Sequence, residues 1–246
     1  MRRRERRAVI DLHCHLLPGV DDGPATMEES LEYALTASRA GTRCIVATPH
    51  VEHVDVTELP DRVAELREAL AGAGIDLRVE CGGELKPYSI PDLSQAELET
   101  IAHGPPGRRW LLLEVPFRGL GHSLLDGAAE LRARGFSHPV LAHPERADGF
   151  RDSVPVLRDQ VEHGAAIQMN VGPLTGEESP ERENAARRLL RTGLPMALAT
   201  DAHPPSRPYT LEQGRRLAVE SGADEALAAR LVDDGPRALL DTGLSF

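Results

Sequence analysis

The residues able to do chemistry come in short clusters. His13 and His15 stand two apart around a short apolar run. In an extended backbone both imidazoles therefore leave on one face, as a pair of metal ligands would. Asp21 and Asp22 follow closely, and the mixture of nitrogen and hard oxygen donors suits a divalent first-row metal better than a thiolate site would. Later segments add His50, Glu84, Glu114, His143, Asp201 and His203. One tetrahedral ion cannot use so many ligands, so the set implies two or three metals sharing a bridging carboxylate. Such a cluster lowers the pKa of a bound water and clamps both oxygens of an in-line displacement at phosphorus. Arg146, three residues past His143, is placed to fork onto a phosphate.

A repeated strand-then-helix pattern must position these groups. The first strand leads into His13 and His15, and Thr26-x-x-Glu29 reads as a capping box opening a helix that closes near Gly41. Further strands are expected at 43–47, 77–81, 110–113, 139–142, 165–169 and 195–199. Helices are expected at 59–70, 95–102, 124–134, 154–163 and 180–191, with two closing helices at 211–221 and 224–231. Seven strands alternating with helices argue for an α/β protein with a parallel sheet, and at this count for a single-domain (β/α)7 barrel over residues 9–246. The candidate ligands fall at or just after the carboxyl ends of the strands, the face on which such barrels build active sites.

Composition removes other function classes. A formal net charge of -11 argues against a nucleic-acid partner, and aromatics at 3% leave no base-stacking platform. The one basic block, Arg2, Arg3, Arg4, Arg6 and Arg7, reads as a solvated tail over residues 1–8, because no sustained apolar run follows to make it a secretory signal. No stretch reaches the roughly 18 apolar residues of a membrane span. Cys14, Cys44 and Cys81 lie in or beside apolar strand-like segments without C-x-x-C spacing, as small buried residues in a reducing, cytoplasmic setting. Strand alternation turns Cys14 away from its histidine neighbours, which rejects a cysteine-nucleophile phosphatase mechanism.

His13-x-His15, Thr48-Pro49-His50, His143 and Asp201-Ala202-His203 resemble the four metal-binding motifs of the PHP (polymerase and histidinol phosphatase) superfamily. The longer strings D-L-H-C-H-L-L-P-G-V-D-D-G, I-V-A-T-P-H, G-G-E-L, A-H-P-E-R and T-D-A-H are similar to the bacterial manganese-dependent protein-tyrosine phosphatases of capsule and exopolysaccharide synthesis. The likeness runs collinearly from about residue 9 to residue 204. It implies a distorted TIM-like barrel and a trinuclear site. One metal would take His13, His15, Glu84 and Asp201; a second would share Glu84 and add Glu114 and His143; a third would take Asp22, His50 and His203. Arg146 would hold the phosphate. Manganese is the implied metal, with iron or zinc as alternatives, and the implied partners are phosphotyrosine proteins, a bacterial tyrosine kinase among them. The segment 51–55 after His50 is shorter and more acidic than is usual in that branch.

The expected activity is a phosphomonoesterase in which a hydroxide held by the metals attacks phosphorus and a phenolate departs. A phenol of pKa about 10 is a good leaving group, so no strong general acid is required. A phosphatase for a small metabolite such as histidinol phosphate is the competing enzyme reading. A PHP domain retained as a non-catalytic metal-binding module is the competing reading of another class.

Overall fold

The computed structural model describes residues 9–243, so the expected basic tail at 1–8 lies outside the described residues. The chain runs β1 (Val9–Cys14), α1 (Met27–Arg39), β2 (Thr42–Ala47), α2 (Leu59–Gly72), β3 (Arg78–Cys81), β4 (Glu84–Leu85) and α3 (Gln95–Ile101). It continues through β5 (Leu112–Glu114), α4 (His122–Ala133), β6 (Val140–Ala142), α5 (Phe150–Glu162), β7 (Ala166–Asn170), α6 (Pro180–Leu190) and β8 (Met196–Ala199). Helices α7 (Leu211–Glu220), α8 (Glu225–Val232) and α9 (Asp234–Thr242) close it. Local signals place the helices. The Thr26 hydroxyl caps α1 by accepting from Glu29 N, while Glu29 reaches back to Ala25 N rather than Thr26 N. Ser94 and Glu97 complete a reciprocal capping box at α3.

All pairings between strands are parallel, in two sheets ordered β1-β2-β3 and β4-β5-β6-β7-β8. The expected single seven-stranded barrel is thereby corrected in two respects: among the described residues there are eight strands, and their ladder is not continuous. The reason lies at Gly82-Gly83. There the segment expected to end as one strand leaves β2 and restarts as β4 in the other sheet. A Cβ on Gly82 would lie 2.6 Å from Val46 Cγ1, and one on Gly83 would lie 2.8 Å from Val51 Cγ1, so the crossing backbone needs glycine. Single bridges span the two seams, Cys14 to Ala202 and His50 to Glu84.

Strand alternation sorts the side chains into two layers. Ile45, Val79, Leu85, Leu113, Leu141, Ile167 and Leu198 face the helices. Ile10, Leu12, Cys44, Val46, Leu112, Val140, Ala142, Ala166 and Ala197 face one another inside, together with Trp110 and Leu239. The Trp110 indole donates to Leu239 O at 2.9 Å, so this buried ring satisfies its polar atom on α9. A register irregularity between Asp11 and Cys14 breaks the alternation of β1. Cys14 consequently joins the helix-facing layer, while the neighbouring histidines are re-aimed, a common use of bulges.

Candidate metal centre

The two seams carry the candidate ligands. Asp201 N donates to His13 O, His15 N to Ala202 O, and Glu84 N to Pro49 O, at 2.8, 3.0 and 2.9 Å. The backbone that stitches β1 to the end of β8 and β2 to β4 therefore also draws His13, His15, His50, Glu84, Asp201 and His203 together. Asp11 reinforces one seam, accepting from Thr200 N and Thr200 Oγ1 immediately before Asp201. Among the described residues, His143 and Asp201 are the two non-glycine residues with positive φ, at 39° and 47°. Each costs of order 1–3 kcal/mol, strain of the kind stored at functional sites.

All nine residues expected to bind metal fall into four overlapping groups whose donor atoms lie within 4.8 Å of one another. Glu84 is the hub. Its Oε2 is 3.4 Å from both His13 Nε2 and His15 Nε2 and 3.1 Å from His50 Nδ1, while its Oε1 is 2.9 Å from His143 Nε2. Asp201 Oδ1 lies 3.3 Å from His13 Nε2 and 3.4 Å from His15 Nε2. Asp22 Oδ1 lies 3.1 Å from His203 Nε2 and 3.8 Å from His50 Nε2. Glu114 groups with His50 and Glu84, rather than with His143 as in the implied second set.

The donor chemistry fits divalent cations. The His13 Nδ1–H donates to Gln168 Oε1 at 2.8 Å and the His15 Nδ1–H to Asp21 Oδ2 at 2.6 Å. With those protons outside, the two Nε2 atoms face each other at 3.2 Å, placed so that both can turn to a shared cation. The His203 Nδ1–H donates to Asp201 O, leaving a buried Nε2 with no hydrogen-bond partner, and His50 Nδ1 and Glu114 Oε2 are likewise unpartnered. Burial opposes the charge of His13 and His15, yet the Glu84 and Asp201 carboxylates raise both pKa values. Burial, helped by repulsion from Glu84, pushes Glu114 up to about 7, and burial, helped by the nearby His15, pushes His203 down to about 4.

A family model described as capsular polysaccharide synthesis, CpsB/CapC, matches residues 9–241. The chain belongs to the CpsB/CapC family. It is 33% identical over 199 residues to the tyrosine-protein phosphatase YwqE of Bacillus subtilis, covering 79% of this chain and 77% of that one. It is 29% identical over 244 residues to the tyrosine-protein phosphatase CpsB of Streptococcus pneumoniae, covering 94% and 98%. A chain from the crystal structures of YwqE and CpsB, described as unique metal-dependent tyrosine phosphatases, superposes with a TM-score of 0.79 at 28% identity over 94% of each chain. The phosphotriesterase homology protein of Escherichia coli shares the fold, with a TM-score of 0.62 at 15% identity over 94% of this chain and 98% of that one.

In this CpsB/CapC chain Arg146 pairs with Asp201 Oδ2 at 2.9 Å, not with its neighbour Glu145, and lies over the Phe117 ring at 4.9 Å. It lines a cavity of about 760 Å³ together with Asp22, His50, Glu84, Glu114 and His203. Arg207 lines the same cavity, whereas His53 and His122 are exposed and do not. Cys14 is buried, and burial pushes its thiol well above the ordinary value, so it is no nucleophile.

Of three supporting residues, Asp21 is read from the sequence as a donor beside the histidines, while Gln168 and Asn170 escape a sequence reading. Asp21 holds His15 and also accepts from His50 N and Gly23 N, so the Asp21-Asp22 pair divides its work, one orienting and one facing the cluster. Gln168 Nε2 donates to Asn170 Oδ1, and Asn170 Nδ2 to Asp201 Oδ2, at 2.7 and 2.6 Å. This relay ties His13 to Asp201 from behind. Its signal was available: Gln168 and Asn170 are polar residues two apart in a strand that is otherwise apolar, so both side chains leave on the same face.

Proposed function

We propose that this chain is a metal-dependent phosphomonoesterase that dephosphorylates phosphotyrosine in proteins and so regulates capsular or exopolysaccharide synthesis. The carrying observation is the convergence of five imidazoles and four carboxylates beside the Arg146 guanidinium on one cavity. The tyrosine-phosphatase names of YwqE and CpsB support the substrate class.

His13, His15 and Asp201 would hold one ion with Glu84; the same Glu84 and His143 would hold a second, which Glu114, grouped with Glu84 and His50, would complete; and Asp22, His50 and His203 would hold a third. Two or three manganese ions are proposed, with iron or zinc as alternatives. When bound, they supply Lewis-acid charge and an activated water at phosphorus. The chain's own groups do the rest. Glu84 presents its two oxygens to different histidines, as a shared ligand must. Asp21 and Gln168 keep protons on the outer nitrogens of His15 and His13. Arg146 spends one donor on Asp201 and has others left for the phosphoryl oxygens, where a preorganised charge counts most in the transition state. A tyrosine leaves as phenolate without a strong acid.

The two sheets are read as one barrel-like unit in a single domain over 9–246, since the inner apolar cluster draws on both. A cytoplasmic setting with a tyrosine kinase as partner completes the reading; the three free cysteines suit a reducing compartment. Among the described residues no helix is long and apolar enough to cross a membrane.

The test is a panel of phosphotyrosine peptides, an aryl phosphate and alkyl phosphometabolites, with manganese and with chelator. Turnover of the aryl esters, abolished by chelator and restored by manganese, is expected. Turnover of histidinol phosphate alone would replace the substrate class, and metal-loaded protein inert toward every ester would favour a binding module.

A further inference from the structure

Tyr88 is 67% exposed and Phe117 is 45% exposed, and they are the exposed large hydrophobic residues among those described. In a chain with only 3% aromatics, both line the cavity that holds the metal-ligand cluster and Arg146. Exposed apolar surface concentrated at one mouth marks a binding surface rather than scattered packing.

Neither ring is exposed because its segment is loose. Tyr88 sits on a 3-10 turn, Pro87–Asp92, whose Pro87 and Ile90 are buried against α4. A Cβ on Gly127 of α4 would come within 3.1 Å of both, so the absence of a side chain there lets the turn seat closely. Arg134 clamps the same turn, donating to Ile90 O at 3.1 Å and Leu93 O at 2.7 Å. Phe117 is held by its carbonyl, which accepts from Asp148 N at 2.7 Å, and by the guanidinium of Arg146 over its ring. Two anchored rings thus stand at the mouth of a cavity whose wall carries the phosphate-binding guanidinium.

We infer that Tyr88 and Phe117 form an aryl slot that selects phosphate esters of phenols over those of alkyl alcohols. This rests on the phosphatase reading and adds the residues that set its leaving-group class. With the phosphate at Arg146, the phenyl ring of a phosphotyrosyl side chain lies among aromatic neighbours, whereas a phosphoserine side chain offers no ring to pack. Phe117 has a second duty, because its face also supports Arg146. Tyr88, with no part in holding Arg146, is the cleaner probe.

The experiment compares Tyr88→Ala, Tyr88→Phe and Phe117→Leu with the parent chain in manganese. The readouts are the ratio of kcat/KM for a phosphotyrosine peptide to that for the matching phosphoserine peptide, and the ratio of inhibition constants for methylphosphonate and phenylphosphonate. Both ratios are expected to fall about tenfold in Tyr88→Ala and to hold in Tyr88→Phe. A tenfold change is about 1.4 kcal/mol, the scale of one aromatic pair. In Phe117→Leu the ratios fall while turnover of both substrates also drops, reflecting the Arg146 contact. Ratios within twofold of the parent in Tyr88→Ala, whether through loss of both activities in step or of neither, overturn the slot. A parent chain that hydrolyses no phosphomonoester overturns the phosphatase reading instead and the slot with it, so the two failures are distinct.

Discussion

The two ends of the strand layer differ in kind although the same strands build both. Toward the amino ends, inward positions are apolar: Ile10, Cys44, Val140, Ala166 and the ring of Trp110 close against Leu239 of α9. Toward the carboxyl ends, the inward positions are His13, His15, Glu84, Glu114, Gln168 and Asn170, nearly all of them buried as deeply as the apolar floor. Buried, mutually opposed charges are costly, and two residues there hold left-handed backbone. The floor carries stability, and the rim holds donors that its own folding does not need. Changes at the two ends should therefore separate cleanly into stability and metal-dependent chemistry.

The largest expected effect lies at the floor. Trp110→Ala should lose about 3–5 kcal/mol of unfolding free energy, measured by denaturant titration, while folded protein keeps its metal stoichiometry. A loss of metal in step with stability would break the division.

At the rim the order reverses. Arg146→Ala should keep its metal and its unfolding midpoint while turnover on an aryl phosphate falls roughly 10²-fold, about 3 kcal/mol of transition-state stabilisation. Full metal with near-normal rate would remove Arg146 from the site. Arg146 and Asp201 are only 12% and 4% exposed, so a merely structural pairing would instead lower the unfolding midpoint and leave the rate close to the parent's.

Behind the rim, Gln168→Leu removes the acceptor that fixes His13 and the donor to Asn170. Metal affinity should weaken about 10–100-fold, read by competition with a chelating dye. Unchanged affinity would mean that the relay only fills space.

The smallest expected effect is a pH dependence of stability at the floor. His103 packs on Trp110 with ring centroids 4.9 Å apart, and burial, with Arg109 nearby, lowers its pKa to about 4. Its neutral form is favoured by the fold. The stability it contributes is therefore complete above the ordinary value of about 6.5 and is lost as the pH falls from there through about 4. His103→Leu should flatten the fall in the urea midpoint across that window; a slope identical to the parent's would contradict the assignment.

Much of this arrangement is legible in the sequence because the candidate metal ligands sit at strand ends, where short motifs such as His13-x-His15 and Asp201-Ala202-His203 record both chemistry and position. What escapes depends on contacts distant in sequence. The switch at Gly82-Gly83 reads as an ordinary strand end, because the close approach of Val46 and Val51 that demands glycine is tertiary. Helix α9 is missed because Gly235-Pro236 looks like a breaker, yet proline is tolerated in a first turn, where its missing N–H has no partner to lose. Tyr88 and Phe117 carry no signal at all until the cavity brings them together.

Glu84 is expected to join a multinuclear centre on which hydrolysis depends. Metal content by mass spectrometry and aryl-phosphate turnover on the same samples of the parent and Glu84→Ala test it most directly. Two or three ions per parent chain are predicted, with fewer in Glu84→Ala and an activity loss exceeding the 10–100-fold of an outer-shell change. Glu84→Ala with the parent's metal content and turnover within a few-fold would contradict it.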